Sequence, residues 1–257
     1  MKAYVLAILV LLGAVGCSTQ SGGGSAGTPQ QVTTRAQASA RIHTELAAKY
    51  YELGQLGIAL EELQTALQSE PDYAPAFNLR GLVRMELREY QQADEDFRHS
   101  LRLDNTDAEA HNNYGWFLCQ RGKEKDAIAH FIAAVKNPLY QTPEKAYLNA
   151  GMCSRKSGNL KDAEDFLNKA LRVQPEMPEA LLELAEVNFA NSDYAAARAY
   201  VIRFSQRNPA PLTAEHLWLA VRIERKLGDR KAEERYASDL RQRFPDARET
   251  HMLQSRF

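Results

Sequence analysis

The 257-residue sequence lacks the motifs that commonly identify an enzyme or a metal protein. It contains no HExxH, GxSxG or phosphate-binding glycine motif, and its six histidines are scattered along the chain. The three cysteines, Cys17, Cys119 and Cys153, form no CxxC pair, which argues against a zinc site. The sequence therefore nominates no catalytic residue, no metal ligand and no cofactor, and predicts a protein that is not an enzyme.

The chain also lacks an excess of charge of either sign. It carries 32 lysines and arginines against 33 aspartates and glutamates. Nucleic-acid-binding proteins usually present a basic face, which this balance does not favour. Nucleic acid is therefore not expected as a partner.

No apolar run reaches the length of about 20 residues that a membrane-spanning helix needs. The run AYVLAILVLLGAV covers residues 3–15 and follows Lys2. A short apolar run behind a positive charge is typical of a secretory signal peptide. It ends in small residues directly before Cys17.

This segment resembles the lipobox of bacterial lipoproteins, in which the signal is removed before the cysteine and the cysteine sulfur is lipidated. The resemblance implies a signal peptide at 1–16 and a lipid anchor on Cys17. Because Ser18 rather than aspartate follows the cysteine, it also implies sorting to the outer membrane. The alternative is an ordinary signal peptide with an unrelated cysteine.

The next residues are rich in serine, glycine, threonine and glutamine and show no hydrophobic periodicity. Such a composition cannot bury a core. We therefore expect residues 17–39 to form the lipidated cysteine and a flexible tether.

Pairs of small residues recur with a regular period through the rest of the chain. The two members of each pair are 12 residues apart, and successive pairs are 34, 34, 36, 34 and 35 residues apart. The pairs are Ala47 and Ala59, Gly81 and Ala93, Gly115 and Ala127, Gly151 and Ala163, Ala185 and Ala197, and Ala220 and Ala232.

This pattern resembles the tetratricopeptide repeat, a helix–turn–helix unit of about 34 residues. It predicts an all-α fold in which about six units, at 40–245, stack into a superhelix, with small residues where the two helices of a unit cross. The charged last helix is expected to cap the stack, and residues 246–257 are expected to form a polar, frayed tail. The carboxylates at Asp94–Asp96 are expected on a solvated face.

The spacing of two cysteines predicts a disulfide bond. Cys119 and Cys153 fall on the first helices of adjacent units, which lie side by side in the proposed stack, and a periplasmic location would be oxidising. The alternative is two buried free thiols. The third and fourth units are 36 residues apart, two more than the 34 seen in most of the chain. The two extra residues lie in KNPLYQTPEK at 136–145. We interpret this segment as a rigid connection that is either passive or a contact loop.

The first helices are expected to line a groove that binds a protein partner. Apolar groove positions could take a partner's side chains, and two equivalent asparagines could hydrogen-bond an extended peptide. The alternative is that these residues pack between repeats. The candidates are Tyr51, Leu82, Met85, Asn113, Trp116, Asn149 and Met152.

Three stretches of sequence carry more information about the family of the protein than the general repeat pattern does. HNNYGWFLCQRGK, NPLYQTPEKAYLNAGMC and PEALLELAEVNFANSDYAAARAYVIRF resemble the type IV pilus biogenesis lipoproteins of the PilF/PilW family. Members of that family act as pilotins, so the resemblance implies binding to the outer-membrane secretin, and possible contact with other pilus-assembly proteins, from a lipid-anchored position on the periplasmic side. The alternative functions are a scaffold lipoprotein for other envelope enzymes or proteases, and a catalytic lipoprotein.

Overall fold

The computed structural model describes residues 34–207 and 211–254, and every secondary-structure element in these two ranges is an α-helix. The helices are α1 (Arg35–Glu52), α2 (Leu56–Ser69), α3 (Ala74–Glu86), α4 (Tyr90–Leu103), α5 (Ala108–Gln120), α6 (Glu124–Lys136), α7 (Pro143–Lys156), α8 (Leu160–Val173), α9 (Pro178–Ala190), α10 (Tyr194–Arg207), α11 (Ala214–Leu227), α12 (Arg230–Arg243) and α13 (Arg248–Gln254).

Consecutive helices pair into six hairpins, from α1 with α2 to α11 with α12. The second helix of each hairpin also contacts the first helix of the next, so each unit buries its apolar face against its neighbour. The predicted fold class, an all-α stack of six helix–turn–helix units, is confirmed.

The small residues lie where the two helices of a hairpin cross. A Cβ placed on Gly151 would lie 2.6 Å from Cγ of Leu167 and 3.3 Å from the carbonyl oxygen of Ala163, so no side chain fits there. Gly81 faces Phe97 and Gly115 faces Phe131 in the same way. The other small residues of the repeat are buried alanines: Ala47, Ala59, Ala93, Ala127, Ala163, Ala185, Ala197, Ala220 and Ala232.

The turn inside each hairpin places one residue in the left-handed conformation. Glycine fills this position in four of the units, as at Gly122 with a φ of 72°. Arg88 and Ser192 take the same conformation, with φ of 63° and 65°. Arg88 shows that the geometry of the hairpin imposes this turn even where the sequence offers no glycine.

Two boundaries differ from those expected. Helix α1 begins at Arg35, inside the segment interpreted as a tether, and Ala40 is fully buried. Residues 248–254 form α13 rather than a frayed tail. This helix packs on α11 and α12, because Thr250 is buried with its hydroxyl donating to the carbonyl of Phe244, and Leu253 packs against the C-terminal core. The end of the stack is therefore covered by α13 and not by α12 alone.

The expected solvated face at Asp94–Asp96 is also wrong for Asp96. Its side chain is buried and accepts hydrogen bonds from Arg80, at 2.9 and 2.7 Å, and from Arg84, at 2.7 Å. Buried carboxylates are tolerated when they are paired in this way. This ion pair links the two helices of the second hairpin.

Cys119 on α5 and Cys153 on α7 are joined by a disulfide bond in the structure. Their Sγ atoms are 2.11 Å apart and their Cα atoms 5.8 Å apart, and both residues are buried. The bond ties together the first helices of the third and fourth hairpins. The inserted segment adjoins this pair of units as a loop at 137–142, after which α7 begins at Pro143.

The predictions for residues 1–16, Cys17 and most of the tether lie outside the described residues. Within the described ranges, no helix combines the length and apolar character needed to cross a bilayer.

We predict that Gly151→Ala destabilises the stack. The new Cβ would collide with Leu167, and overpacking of this kind costs about 1–3 kcal/mol. The matched control is Gly57→Ala in α2, where nothing lies within 4 Å of the added Cβ, so alanine should stabilise the fold by about 0.4–1 kcal/mol because it restricts the unfolded chain. Urea denaturation measures both changes, and equal stability of the two variants would contradict the close approach of the helices.

The disulfide is expected to stabilise the fold by roughly 3–4 kcal/mol, because it closes a loop of 34-residue separation in the unfolded chain. Reductant should therefore lower the denaturation midpoint of the natural protein. The double variant Cys119→Ala/Cys153→Ala should show the lower midpoint with or without reductant. Non-reducing peptide mapping that recovers the two cysteine peptides unlinked would refute the bond.

Candidate functional site: the groove of first helices

The first helices form one continuous row on the inner side of the stack. Helix α1 contacts α3, α3 contacts α5, and the series continues through α7 and α9 to α11. Among the described residues, no second helix of one hairpin contacts the second helix of another. The row of first helices is therefore the closely spaced, concave side, and its exposed surface is the groove.

Five predicted groove residues lie along this row and are half-buried. Each packs against the core on one side, which leaves the other side open to a partner. Burial raises the pKa of Tyr51, and the nearby Glu86 carboxylate adds to the shift, so the phenol stays neutral. We call this set the apolar stripe: Tyr51, Leu82, Met85, Trp116 and Met152.

The two predicted asparagines have partners inside the fold. Nδ2 of Asn113 donates to Oδ1 of Asn78 at 3.3 Å, and Nδ2 of Asn149 donates to Oδ1 of Asn112 at 3.0 Å. Both bonds join neighbouring first helices. Each asparagine thus links two units, and its contact with a peptide stays a prediction that can use only its remaining hydrogen-bonding atoms.

The middle of the apolar stripe borders an open cleft of about 440 Å³. Met85 and Trp116 form part of its wall, together with Tyr90, whose ring carries the guanidinium of Arg121 at 4.2 Å. The wall also includes the polar side chains of Glu86, Arg88 and Gln120. Aromatic and methionine side chains on a rigid wall suit the binding of a partner's apolar residues.

The C-terminal half of the groove carries ion pairs between neighbouring first helices. Nε of Arg155 on α7 donates to Oε2 of Glu183 on α9 at 2.6 Å. Nη2 of Arg222 on α11 donates to Oε2 of Glu186 on α9 at 3.5 Å. Burial raises the pKa of Glu186, and Arg222 and Arg155 oppose that rise. These pairs tie three first helices together across the groove.

Sequence reasoning missed this charged half. The available signal is in α9, which carries three glutamates and no basic residue. Glu179, Glu183 and Glu186 are spaced by four and three residues, which places them on one face of the helix. Which residues they meet depends on how α7 and α11 stack beside α9.

The profile of the tetratricopeptide-repeat family matches the chain at residues 44–108, 78–142 and 148–209. Together these matches cover more than half of the chain and run across both halves of the groove.

Proteins of the same architecture align over nearly the whole chain. The type IV pilus assembly protein PilF of Pseudomonas aeruginosa is 27% identical over 251 residues, covering 97% of each chain. The solved structure of PilW, a widely conserved type IV pilus biogenesis factor, is 33% identical and superposes with a TM-score of 0.79 over 84% of this chain and 98% of PilW. The solved structure of Pseudomonas aeruginosa PilF is 26% identical and superposes with a TM-score of 0.78 over 86% of this chain and 99% of its own.

Proposed function

Because the chain belongs to the tetratricopeptide-repeat family of type IV pilus proteins that includes PilW and PilF, we propose that it acts in type IV pilus biogenesis as a pilotin. In this role it is a non-enzymatic lipoprotein of the outer membrane. It binds the secretin on the periplasmic side and promotes the localisation and assembly of the secretin multimer. The observation that carries the proposal is the alignment with PilF over 97% of both chains.

The groove supports a binding role. Its apolar stripe presents half-exposed side chains on helices that are held in place by the core, the disulfide and ion pairs between units. Such preorganisation reduces the entropy lost when a partner binds. A groove of this kind can hold an extended or helical segment of another protein without any catalytic group.

The sequence before α1 supports the membrane anchor. Cys17 follows an apolar run of signal-peptide length, and Ser18 occupies the position that governs sorting in bacterial lipoproteins. Several acyl chains on one cysteine exceed the two-signal requirement for stable anchoring. The lipid would determine the membrane, and the groove would hold the secretin.

We expect Cys17→Ala to separate folding from localisation. The solenoid begins at Arg35, so the variant should keep its helical content while losing the lipid and leaving the secretin misplaced or unassembled. Ser18→Asp is the matched control, since it should keep the lipid and move the protein to the inner membrane. Membrane fractionation and mass spectrometry of the mature N-terminus measure both effects. Normal pili and heat-stable secretin multimers in Cys17→Ala cells would count against the proposal.

Trp116→Ala should weaken secretin capture from solubilised outer membranes by about 10-fold or more, as expected for an aromatic hot spot. The control is Phe166→Ala, which removes another half-buried aromatic residue from α8, a second helix outside the groove. Thermal unfolding of both variants measures how much each substitution destabilises the fold, so that a loss of stability is not mistaken for a loss of binding. Equal loss of capture in the two variants argues against the groove as the binding surface. Capture of an envelope enzyme or protease in place of the secretin favours the scaffold alternative.

A further inference from the structure

The apolar stripe ends at a second cleft, where α7, α9, the C-terminal end of α10 and the start of α11 meet. This cleft has a volume of about 430 Å³, within the usual size range of ligand pockets. Met152, Leu182 and Phe204 form its apolar wall, and Pro178 and Pro211 line its edge. It can accept a bulky apolar side chain together with part of the segment that carries it.

The surroundings of this cleft carry an excess of negative charge. Glu179 and Glu183 line it, and Glu215 on α11 acts electrostatically on both Arg155 and Glu186. Four carboxylates therefore face two guanidinium groups in this part of the groove. The carboxylates are Glu179, Glu183, Glu186 and Glu215, and the guanidinium groups are Arg155 and Arg222.

Among the residues that the structure describes, no further basic side chain pairs with this excess of carboxylates. Arg155 and Arg222 are occupied by Glu183 and Glu186, and neither Glu179 nor Glu215 has an ion pair or hydrogen bond from its side chain in the described ranges. His216, which also lines the cleft, does not supply a positive charge at neutral pH because burial lowers its pKa. A ligand that brings positive charge would find two exposed carboxylates available beside an apolar cavity.

We propose that this cleft binds a segment of a protein partner in which a bulky apolar side chain is flanked by lysine or arginine. The apolar side chain enters between Met152, Leu182 and Phe204, and the flanking cations pair with Glu179 and Glu215. An acidic segment would instead bring its carboxylates against unpaired carboxylates, which is unfavourable. The inference rests on the proposed binding role of the groove and specifies the chemistry of the bound segment.

The test uses three peptides that differ only at the flanking and central positions: acetyl-GSKFKSG-amide, acetyl-GSEFESG-amide and acetyl-GSKAKSG-amide. Methionine methyl groups are labelled for NMR, so that Met152 reports on this cleft and Met85 on the middle of the stripe. The lysine–phenylalanine peptide should shift Met152 more than Met85, and its binding should weaken as salt is added. The other two peptides should shift Met152 much less.

Glu179→Gln/Glu215→Gln should weaken binding of the lysine–phenylalanine peptide by about 5-fold, as expected from two exposed ion pairs. The control Glu61→Gln/Asp72→Asn removes the same charge from exposed side chains of the first two units and should leave binding unchanged. Equal shifts from the glutamate peptide, or no shift at Met152, would overturn the inference.

The outcome of the peptide-binding experiment can be distinguished from the outcome of the secretin-capture experiment. If secretin is captured but the lysine–phenylalanine peptide does not shift Met152, only the chemistry assigned to this cleft is wrong. If the peptide binds as expected but secretin is not captured, the cleft assignment stands and the secretin assignment fails.

Discussion

The close approach of two helices at small residues is the constraint on which the rest of this structure depends. At Gly151 the backbone of α7 lies so near Leu167 on α8 that an added methyl group would have no room. The same crossing recurs in each hairpin at glycine or alanine. Because every hairpin closes in the same way, each presents the same face to the next, and six of them can stack in a regular series.

Regular stacking creates the groove and also determines what its residues can do. The first helices are neighbours along one side, so side chains at equivalent positions form continuous rows. Residues of the apolar stripe contribute both to the fold and to the groove surface, since each packs against the core with one side and leaves the other exposed. Three links hold the row together from α5 to α11: the disulfide between α5 and α7, the ion pair between α7 and α9, and the ion pair between α9 and α11.

The groove has two halves with different chemistry, and this difference bears on function. The N-terminal half offers aromatic and methionine side chains beside both acidic and basic residues, whereas the C-terminal half combines an apolar cleft with an excess of carboxylates. A partner that follows the whole groove would meet apolar side chains in both halves and an excess of negative charge in the C-terminal half. Apolar contacts contribute affinity, while charge adds orientation and selects against acidic segments. The alignment with PilF extends over nearly the full length of both chains and so includes both halves of the groove.

The sequence alone determined the period of the repeat, the hairpins, the small residues at their crossings and the cysteines that could meet, because each follows from spacing along a helix or from the equivalence of successive units. The tertiary structure decided the rest. Asp96 is buried by arginines from the preceding helix, α13 covers the end of the stack, and the asparagines pair with one another between units. The charged cleft likewise exists only because α7, α9, α10 and α11 lie at particular offsets from one another. Those offsets arise from how neighbouring hairpins pack, and the periodicity of a single helix contains no information about them.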